Sequence, residues 1–376
     1  MKQLNFAAVG AGFMGKAHSL ALAAYPMYVW PTELMPRRSL VIEATDELAE
    51  TSRVRFGYDR AGTDWREAVE DPDIDVVDIL LPNVMHREVA VAALEAGKHV
   101  ICEKPLAVGV ADGRAMVEAA AASDRVDQVG FNWRLVPAVQ HARNLISEGA
   151  IGEVRSIRSF WLGDFFASAD VPMLWRFDRA QAGSGALGDV GSHAIDFARA
   201  LVGDISEVNA VQRTYVTERD HADGSGTSTV DVDDSTAFLA EFASGAHGYV
   251  EGSWASPGNK THAGFEVQGS AGALKFDWER MNELQFYSDA DPVDRKGFRT
   301  ILMGPDQPQG EHFWPVAGYQ IGYAESKALQ IHDFLRAVAG EKPAPETTFA
   351  DGLACMLVEE AVQRSAETRS WVKVEA

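Results

Sequence analysis

A glycine-rich turn near the start of the chain constrains the fold more than any other feature. Three glycines in residues 10–15 follow an apolar run at residues 4–9 and precede a segment with helical periodicity. Glycines at this spacing allow a tight turn and let backbone N–H groups approach a pyrophosphate at the N-terminus of the helix. The predicted contacts to a dinucleotide are therefore Gly10, Gly12, Phe13, Met14 and Gly15.

The first third of the chain alternates apolar, strand-like runs with helical segments. Further runs lie at residues 39–44, 75–81, 99–102 and 127–131. Repeated βα units of this kind predict an α/β fold with a doubly wound parallel sheet, the Rossmann arrangement, over residues 1–131. Three prolines (Pro26, Pro31 and Pro36) predict a loop of about a dozen residues before the second strand, longer than is usual in such units.

Longer runs that alternate polar and apolar residues follow residue 132. They lie at residues 153–162, 206–217, 235–242, 248–254, 264–269 and 273–278. This pattern predicts a C-terminal α+β domain, residues 132–376, built on a large open and mostly antiparallel sheet with one covered face. The other face must bury its apolar side, so we expect a homo-oligomer, either a dimer or a tetramer.

Charge and cysteine content narrow the class of protein. The 376 residues carry 34 Lys and Arg against 55 Asp and Glu, which gives a net charge of −21. A field of this sign argues against binding nucleic acid or an anionic membrane. Two cysteines are too few for a disulfide framework, and the sequence shows neither a signal-peptide pattern nor a membrane-spanning run. We therefore expect a cytoplasmic protein.

The end of the second strand is predicted to contact a ribose of the cofactor. Thr45 or Asp46 falls there, depending on where the strand ends, while Glu43 points into the sheet or to solvent. An acidic acceptor with no Arg or Lys in the same turn favours NAD over NADP. Both residues also suit the N-cap of the next helix, a role that does not exclude ribose binding.

Two later strand ends place polar residues at the carboxyl edge of the predicted sheet, where ligands bind in this fold. Asn83 suits either the nicotinamide ribose or a helix cap, and His86 lies one helical turn further on. Lys104 follows the next strand directly, between Glu103 and Pro105. A lysine partly desolvated beside a nicotinamide cation can share a substrate proton.

Asp189 and His193 are four residues apart on a predicted helix, so they share one face. Asp189 lies in the first turn, where the helix dipole favours its ionised form, and Asp196 is a candidate third partner. These residue types also suit a metal site or a surface ion pair. Because no further His/Cys cluster lies nearby in the sequence, we predict no metal.

Aromatic and polar residues near these segments are candidates for holding a sugar, whose C–H faces stack on rings. Besides Lys104, Asp189 and His193, the candidate substrate contacts are Trp133, Arg134, Trp161, Asp164, Trp175 and Arg176. The predicted cofactor contacts outside the first two strands are Pro82, Asn83, His86, Glu103, Lys104, Asn132, Trp175 and Arg176.

Three motifs accompany the glycine turn: Pro82-Asn83-x-x-His86, Ala96-Gly97-Lys98-His99-Val100-x-x-Glu103-Lys104-Pro105 and Gly185-x-x-x-Asp189-x-x-x-His193-x-x-Asp196. Together they resemble the glucose–fructose oxidoreductase/inositol dehydrogenase family over nearly the whole chain. The resemblance implies a Rossmann domain, an open-sheet domain used in oligomer packing, a cis Lys104–Pro105 bond and Lys104, Asp189 and His193 as catalytic residues. Gly163 stands where a relative is expected to carry glutamine, which predicts a larger pocket.

We therefore predict an NAD-dependent dehydrogenase that acts on a ring secondary hydroxyl, at C3, of a sugar, anhydrosugar or glycoside. His193 takes the hydroxyl proton, Lys104 polarises or relays, and Asp189 orients the substrate. Two alternatives stay open. One is an oxidoreductive glycosidase, in which oxidation is followed by elimination, water addition and re-reduction, with Arg176, Lys260 and His262 as the cations that would suit an anionic sugar. The other is a catalytically silent NAD-binding regulator.

Overall fold

The structure, a computed structural model, describes residues 1–375, which fall into two units. The first unit consists of Met1–Leu135 and Ile321–Leu353. The second consists of Val136–Gln320 and the residues from Ala354 onward. The predicted boundary at residues 131/132 is close to the first of these division points, but the prediction assigned residues 321–353 to the C-terminal domain.

A six-stranded parallel sheet organises the first unit, which confirms the predicted Rossmann arrangement. Its strands run in the order β3-β2-β1-β4-β5-β6. They are β1 (Lys2–Val9), β2 (Leu34–Ile42), β3 (Arg60–Gly62), β4 (Val76–Ile79), β5 (His99–Cys102) and β6 (Asp127–Val129). The helices of this unit are α1 (Phe13–Tyr28), α2 (Asp46–Phe56), α3 (Arg66–Glu70), α4 (His86–Glu95), α5 (Val110–Ala122) and α9 (Tyr323–Val338).

Helix α9 packs on α1 in the first unit, although some 300 residues separate them in the sequence. Leu22 and Tyr25 of α1 share one apolar cluster with Phe6 of β1 and with Ile331 and Phe334 of α9. All five are almost fully buried. A helix near the C-terminus thus completes the core under the N-terminal sheet, a contact that local sequence patterns do not reveal.

The predicted proline-rich loop before β2 is wrong in extent. Helix α1 continues through Pro26 to Tyr28, and the Val29 N–H closes its last turn on the Tyr25 carbonyl oxygen. Strand β2 begins at Leu34 and includes Pro36. Proline is tolerated there because β3 pairs only with the end of β2, from residue 40 on, so β2 has a strand on one side alone at Pro36.

A nine-stranded sheet organises the second unit, in the order β16-β15-β14-β13-β7-β12-β11-β8-β17. Only β7 and β12 pair in parallel, so the predicted mostly antiparallel sheet is confirmed. Its strands are β7 (Val154–Leu162), β8 (Ile205–Arg213), β11 (Ser235–Phe242), β12 (His247–Ser253), β13 (His262–Gly269), β14 (Gly272–Asp277), β15 (Glu283–Ser288), β16 (Arg299–Leu302) and β17 (Val372–Lys373). A separate ribbon pairs β9 (Glu218–Asp220) with β10 (Thr227–Thr229), and the remaining helices are α6 (Pro137–Ser147), α7 (Arg179–Ala182), α8 (Ser192–Val202) and α10 (Phe349–Thr368).

One face of the nine-stranded sheet is covered by α8, which contacts β7, β12 and β13. Ser159 of β7 donates a hydrogen bond to the Ala194 carbonyl oxygen of α8 (2.8 Å). Residues of the opposite face alternate with these, and Val211 and Leu239 on that face are about half exposed. The candidate residues Asp189 and His193 therefore belong to the covered side of the sheet.

Candidate active site

The glycine turn after β1 has the geometry of a phosphate cradle. Gly10 has a φ of +97°, and a Cβ there would lie 2.7 Å from the Leu80 carbonyl oxygen. Gly12 precedes α1, whose first turn has neither a side-chain cap nor an acidic residue. A Cβ at Gly12 would meet no atom within 4 Å. The first turn of α1 thus has no side-chain cap, and the space beside Gly12 is open, as the pyrophosphate of NAD requires.

Glu43 directly follows the last residue of β2, next to the position at which a ribose-binding acid was predicted. Its carboxylate accepts hydrogen bonds from the backbone N–H groups of Ala11 (2.7 Å) and Ala44 (3.1 Å). Thr45 instead caps α2 by accepting from the Leu48 N–H, and Asp46 is the first residue of that helix. Glu43 is therefore a further candidate for the ribose contact, while the cap at Thr45 leaves the predicted role of Thr45 and Asp46 open. The prediction missed Glu43 because it extended the strand to residue 44, whereas β2 ends at residue 42.

The N-terminus of α9 lies beside the glycine turn, which the sequence did not reveal. Phe13 is 70% exposed, and its ring stacks on that of Tyr323 with centroids 5.8 Å apart. The Tyr323 hydroxyl also contacts the Met14 sulfur at 3.6 Å. Tyr323 thus supports Phe13 and Met14 of the turn.

His86 does not offer its ring to a cofactor as predicted, because it is fully buried. Its Nδ1 lies 3.1 Å from the Pro105 carbonyl oxygen and 3.2 Å from that of Leu106, and its Nε2 lies 2.9 Å from that of Leu81. Burial lowers the pKa of His86. The ring therefore braces the chain just after Lys104, whose bond to Pro105 is cis, as the resemblance implied.

Three predicted ligand contacts after β6 are also buried. Asn132 donates to the Ser326 hydroxyl (2.8 Å) on α9. Arg134 donates to the Asp351 carboxylate (3.0 Å) and to the Glu346 carbonyl oxygen (2.9 Å). Trp133 is only 5% exposed. The side chains of Asn132 and Arg134 thus bond within the first unit, and the predicted ligand contacts of Asn132, Trp133 and Arg134 stay predictions.

Asp189 and His193 lie on successive parts of one helical segment in the second unit. Asp189 belongs to a π-helical turn (Leu187–Gly191) that continues directly into α8, and His193 is the second residue of α8. The wider turn replaces the α-helical geometry that the spacing predicted, and such turns are frequent at functional sites. Arg176 stacks on Trp175, and its Nε lies 3.6 Å from the Asp189 carboxylate.

Asp233 fixes the start of this helical segment, and sequence reasoning missed it. Its buried carboxylate accepts from the N–H groups of Gly185 and Leu187, each at 2.9 Å, and from the Thr236 hydroxyl at 2.7 Å. Its carbonyl oxygen accepts from the Ala186 N–H (2.8 Å). Three consecutive amides before Asp189 are therefore held by one residue. The acidic run at residues 231–234, just before β11, is the sequence signal that could have identified it.

The space next to Gly163 is filled, which corrects the prediction of a larger pocket. A Cβ at Gly163 would lie 2.7 Å from the Trp161 ring and 2.8 Å from the Phe165 ring. These rings meet edge to face, with centroids 5.7 Å apart. Asp164, a predicted substrate contact, pairs with exposed Lys260 at 2.6 Å, which lowers the pKa of the carboxyl group. Lys260 is therefore already paired with an acid and gives no support to an anionic sugar.

Metal-type donors come together elsewhere in the chain. Among residues 1–375, one group of three such side chains has ligand atoms within 4.8 Å of one another: His262, Asp277 and Glu279. Asp189 and His193 are not members of it. Over the same residues, no helix combines the length and the apolar character needed to span a membrane.

The dinucleotide cradle of the first unit indicates the class of this protein, which is an NAD-dependent oxidoreductase. Family models agree with this assignment. The NAD-binding Rossmann fold of the oxidoreductase family matches residues 4–131, and the GFO/IDH/MocA C-terminal domain matches residues 139–275. The chain therefore belongs to the GFO/IDH/MocA family, as its motifs indicated.

Relatives of known structure cover the whole chain. Levoglucosan dehydrogenase from Pseudarthrobacter phenanthrenivorans is 45% identical over all of this chain and 99% of its own length. Levoglucosan dehydrogenase structures in complex with NADH and levoglucosan superpose with a TM-score of 0.97 over the full length of both chains. An oxidoreductase domain protein from Kribbella flavida is 39% identical, with a TM-score of 0.95. Myo-inositol 2-dehydrogenase from Thermotoga maritima is 27% identical over 88% of each chain. The chain is thus similar to sugar dehydrogenases throughout.

Proposed function

We propose that this enzyme oxidises a ring secondary hydroxyl, at C3, of a pyranose sugar, anhydrosugar or glycoside, with NAD as the hydride acceptor. The observation that carries the proposal is the 45% identity to levoglucosan dehydrogenase over the full length of this chain. The chain also keeps the acid–base residues Lys104, Asp189 and His193 of the family pattern. A catalytically silent regulator would have no use for these three side chains.

Each catalytic residue has a distinct proposed role. When bound, NAD supplies an electrophilic nicotinamide ring that accepts the hydride. His193 takes the proton of the substrate hydroxyl, and Lys104 polarises the oxygen as it becomes a carbonyl. Asp189 orients the hydroxyl, and the Arg176 guanidinium, 3.6 Å from the Asp189 carboxylate, favours its ionised form. The substrate loses a proton from its hydroxyl group and a hydride from the carbon that carries it. The proposal therefore assigns all three side chains to the same hydroxyl group.

A substrate screen tests the proposal. Levoglucosan, simple pyranoses and alkyl glycosides are incubated with NAD, and NADH formation is followed by absorbance. We expect stoichiometric NADH and an intact 3-keto product from at least one of these compounds. Free sugar released from a glycoside without net NADH would identify the oxidoreductive glycosidase instead.

Two substitutions test the assigned residues. Lys104→Ala and His193→Ala should each lower kcat by about a hundredfold or more, the usual scale for a general acid–base group. NADH binding, measured by fluorescence, should survive both substitutions. Near-normal turnover in both variants would contradict the assignment.

We further propose that the enzyme is a homo-oligomer in the cytoplasm. The half-exposed apolar residues on the open face of the nine-stranded sheet support self-association. Both cysteines, Cys102 and Cys355, are free thiols, which suits a reducing compartment.

A further inference from the structure

A buried ionic network lies directly behind Lys104. Glu103 directly follows β5 at the carboxyl edge of the sheet and was predicted to contact the cofactor. Its side chain instead points into the first unit and is only 7% exposed. Its carboxylate accepts hydrogen bonds from Lys327 Nζ of α9 (2.6 Å) and from His18 Nε2 of α1 (3.0 Å). His18 Nδ1 in turn donates to the Asp78 carboxylate of β4 (2.9 Å). Lys327 Nζ also donates to the Gln330 side-chain oxygen (3.0 Å).

The four ionisable groups of this network balance one another. His18, Asp78 and Lys327 are at most 1% exposed, so each charge would be costly alone and is tolerated only with its partners. Burial alone would lower the pKa of His18, but the Asp78 and Glu103 carboxylates raise it. Burial alone would raise the pKa of Glu103, but the nearby Lys327 and, to a lesser extent, His18 lower it. The network therefore pairs two basic with two acidic side chains in the interior, and each ring nitrogen of His18 faces a carboxyl group.

Backbone contacts connect this network to Lys104. The second carboxylate oxygen of Glu103 accepts from the Lys104 N–H (3.3 Å), and the Glu103 N–H donates to the Ile79 carbonyl oxygen (3.0 Å). Gly130 leaves room for the carboxylate, since a Cβ there would lie 2.9 Å from its carbon. Lys104 is also close enough for its charge to contribute to the lowered pKa of Lys327, although burial is the larger cause.

We propose that Lys327 is a positioning residue that acts through Glu103. It holds the Glu103 carboxylate against the Lys104 backbone and so fixes the direction in which the Lys104 amine leaves the end of β5. His86 braces the following carbonyl oxygens, so the backbone is restrained on both sides of Lys104. This inference rests on the proposed catalytic role of Lys104. It adds a residue of α9, more than 220 positions away in the sequence, to the machinery of the reaction.

The central test compares Lys327→Met with the matched variant Lys98→Met. Lys98 is also a buried lysine, and it precedes β5 at the opposite end of the strand, where it donates to the carbonyl oxygens of Asp71 (2.6 Å) and Ile74 (2.8 Å). Both variants lose a buried ammonium group, so both should melt at a lower temperature than wild type. Only Lys327→Met should lower kcat, by about ten- to a hundredfold, the scale expected when a catalytic group is misplaced.

A double variant separates positioning from stability. Lys327→Met combined with Glu103→Gln removes one cation and one carboxylate, which leaves the buried charge balanced by His18 and Asp78. We expect its melting temperature to return toward that of wild type while kcat stays about tenfold or more below it. Recovery of both quantities would show that Lys327 serves stability alone and would overturn the proposal. The double variant also serves if Lys327→Met does not fold.

A chemical measurement keeps this test independent of turnover. Acetic anhydride acetylates exposed amines, and mass spectrometry gives the rate at Lys104 in each variant. We expect that rate to differ from wild type by about threefold or more in Lys327→Met, because reactivity follows the local environment of the amine, and to stay unchanged in Lys98→Met. If wild type forms no NADH with any sugar, the proposed function fails, but this labelling still decides the positioning role. Equal Lys104 labelling in wild type and Lys327→Met would overturn it.

Discussion

Gly12 and Gly10 adjoin the same turn, but the structure makes opposite demands on them. A Cβ at Gly12 would meet no protein atom, whereas one at Gly10 would collide with the Leu80 carbonyl oxygen at a φ of +97°. Gly12 is therefore needed for ligand binding, whereas Gly10 is needed for the fold.

The substitution Gly12→Val should abolish NADH binding while leaving the melting temperature of the free protein nearly unchanged. The valine side chain fills the space that the pyrophosphate needs, and its Cβ meets no protein atom within 4 Å. Fluorescence titration with NADH and thermal unfolding measure the two effects. Gly10→Ala is the contrasting control, because it should lower the melting temperature as well. A Gly12→Val protein that binds NADH normally would show that the pyrophosphate lies elsewhere.

Glu43 should set the preference for NAD over NADP. Its carboxylate lies against the glycine turn at the end of β2, where a 2′-phosphate on the adenosine ribose would meet a like charge. We expect wild type to bind NADH more tightly than NADPH, and Glu43→Ala to weaken NADH binding while improving binding of NADPH relative to NADH. Parallel fluorescence titrations of both cofactors give the ratio. An NADP preference in wild type would contradict this role.

Among the helices and strands, the sequence predicted the bounds best where the periodic pattern extends over many residues. Strand β11 (Ser235–Phe242), for example, has the bounds that its alternating pattern predicted. Strands β3, β9 and β10, of three residues each, were missed because so short a segment shows no alternation. The place of α9 was missed for another reason: its partners Phe6 and Tyr25 lie about 300 residues away.

In the candidate site, too, residues that follow from a local pattern were predicted, and residues that depend on distant contacts were missed. Lys104, Asp189 and His193 could be selected because each lies at a strand end or a helix start that the pattern already located. Asp233 and Lys327 could not, because their effect depends on which backbone groups and carboxylates the fold brings against them. A charged residue in the sequence does not indicate by itself that it will be buried.

Acid should destabilise the first unit partly through His99, at the start of β5. Its Nδ1 accepts a hydrogen bond from the Val126 N–H (2.9 Å), and burial, followed by the nearby Arg125 charge, lowers its pKa from about 6.5 to about 4. The folded state therefore favours the neutral ring. As the pH falls from 6.5 toward 4, the unfolded chain binds a proton that the folded chain does not, and this part of the stability is lost.

The substitution His99→Gln should remove that pH dependence, because glutamine cannot titrate but can still accept from Val126. Between pH 4 and 6.5, unfolding of the variant should take up fewer protons than unfolding of wild type, by up to about one. The free energy of unfolding from urea titrations across this range gives the slope. Equal slopes for the two proteins would mean that His99 is not held neutral in the fold.

At the scale of the whole molecule, the open face of the nine-stranded sheet bears on whether the protein is a monomer or an oligomer. Charged and aromatic side chains cover part of that face: Lys275 pairs with Glu266 at 3.2 Å and lies 4.9 Å from the centre of the Phe298 ring. Val211 of β8 and Leu239 of β11, on neighbouring strands, are 52% and 51% exposed. A surface that mixes apolar side chains with pairs of opposite charge suits contact with a second copy of itself.

The double substitution Val211→Glu and Leu239→Glu should therefore convert an oligomer into a monomer. Two carboxylates would have to lose water on each side of the interface, and the chain already carries a net charge of −21. Light scattering should give a mass of two or four times 40.8 kDa for wild type and 40.8 kDa for the variant. Val54→Glu, at a valine of α2 in the first unit that is 67% exposed, is the control and should leave the mass of the assembly unchanged. NADH binding should survive the double substitution, because the cradle lies wholly within the first unit. A wild-type mass of 40.8 kDa at micromolar concentration would show that this face stays exposed to water.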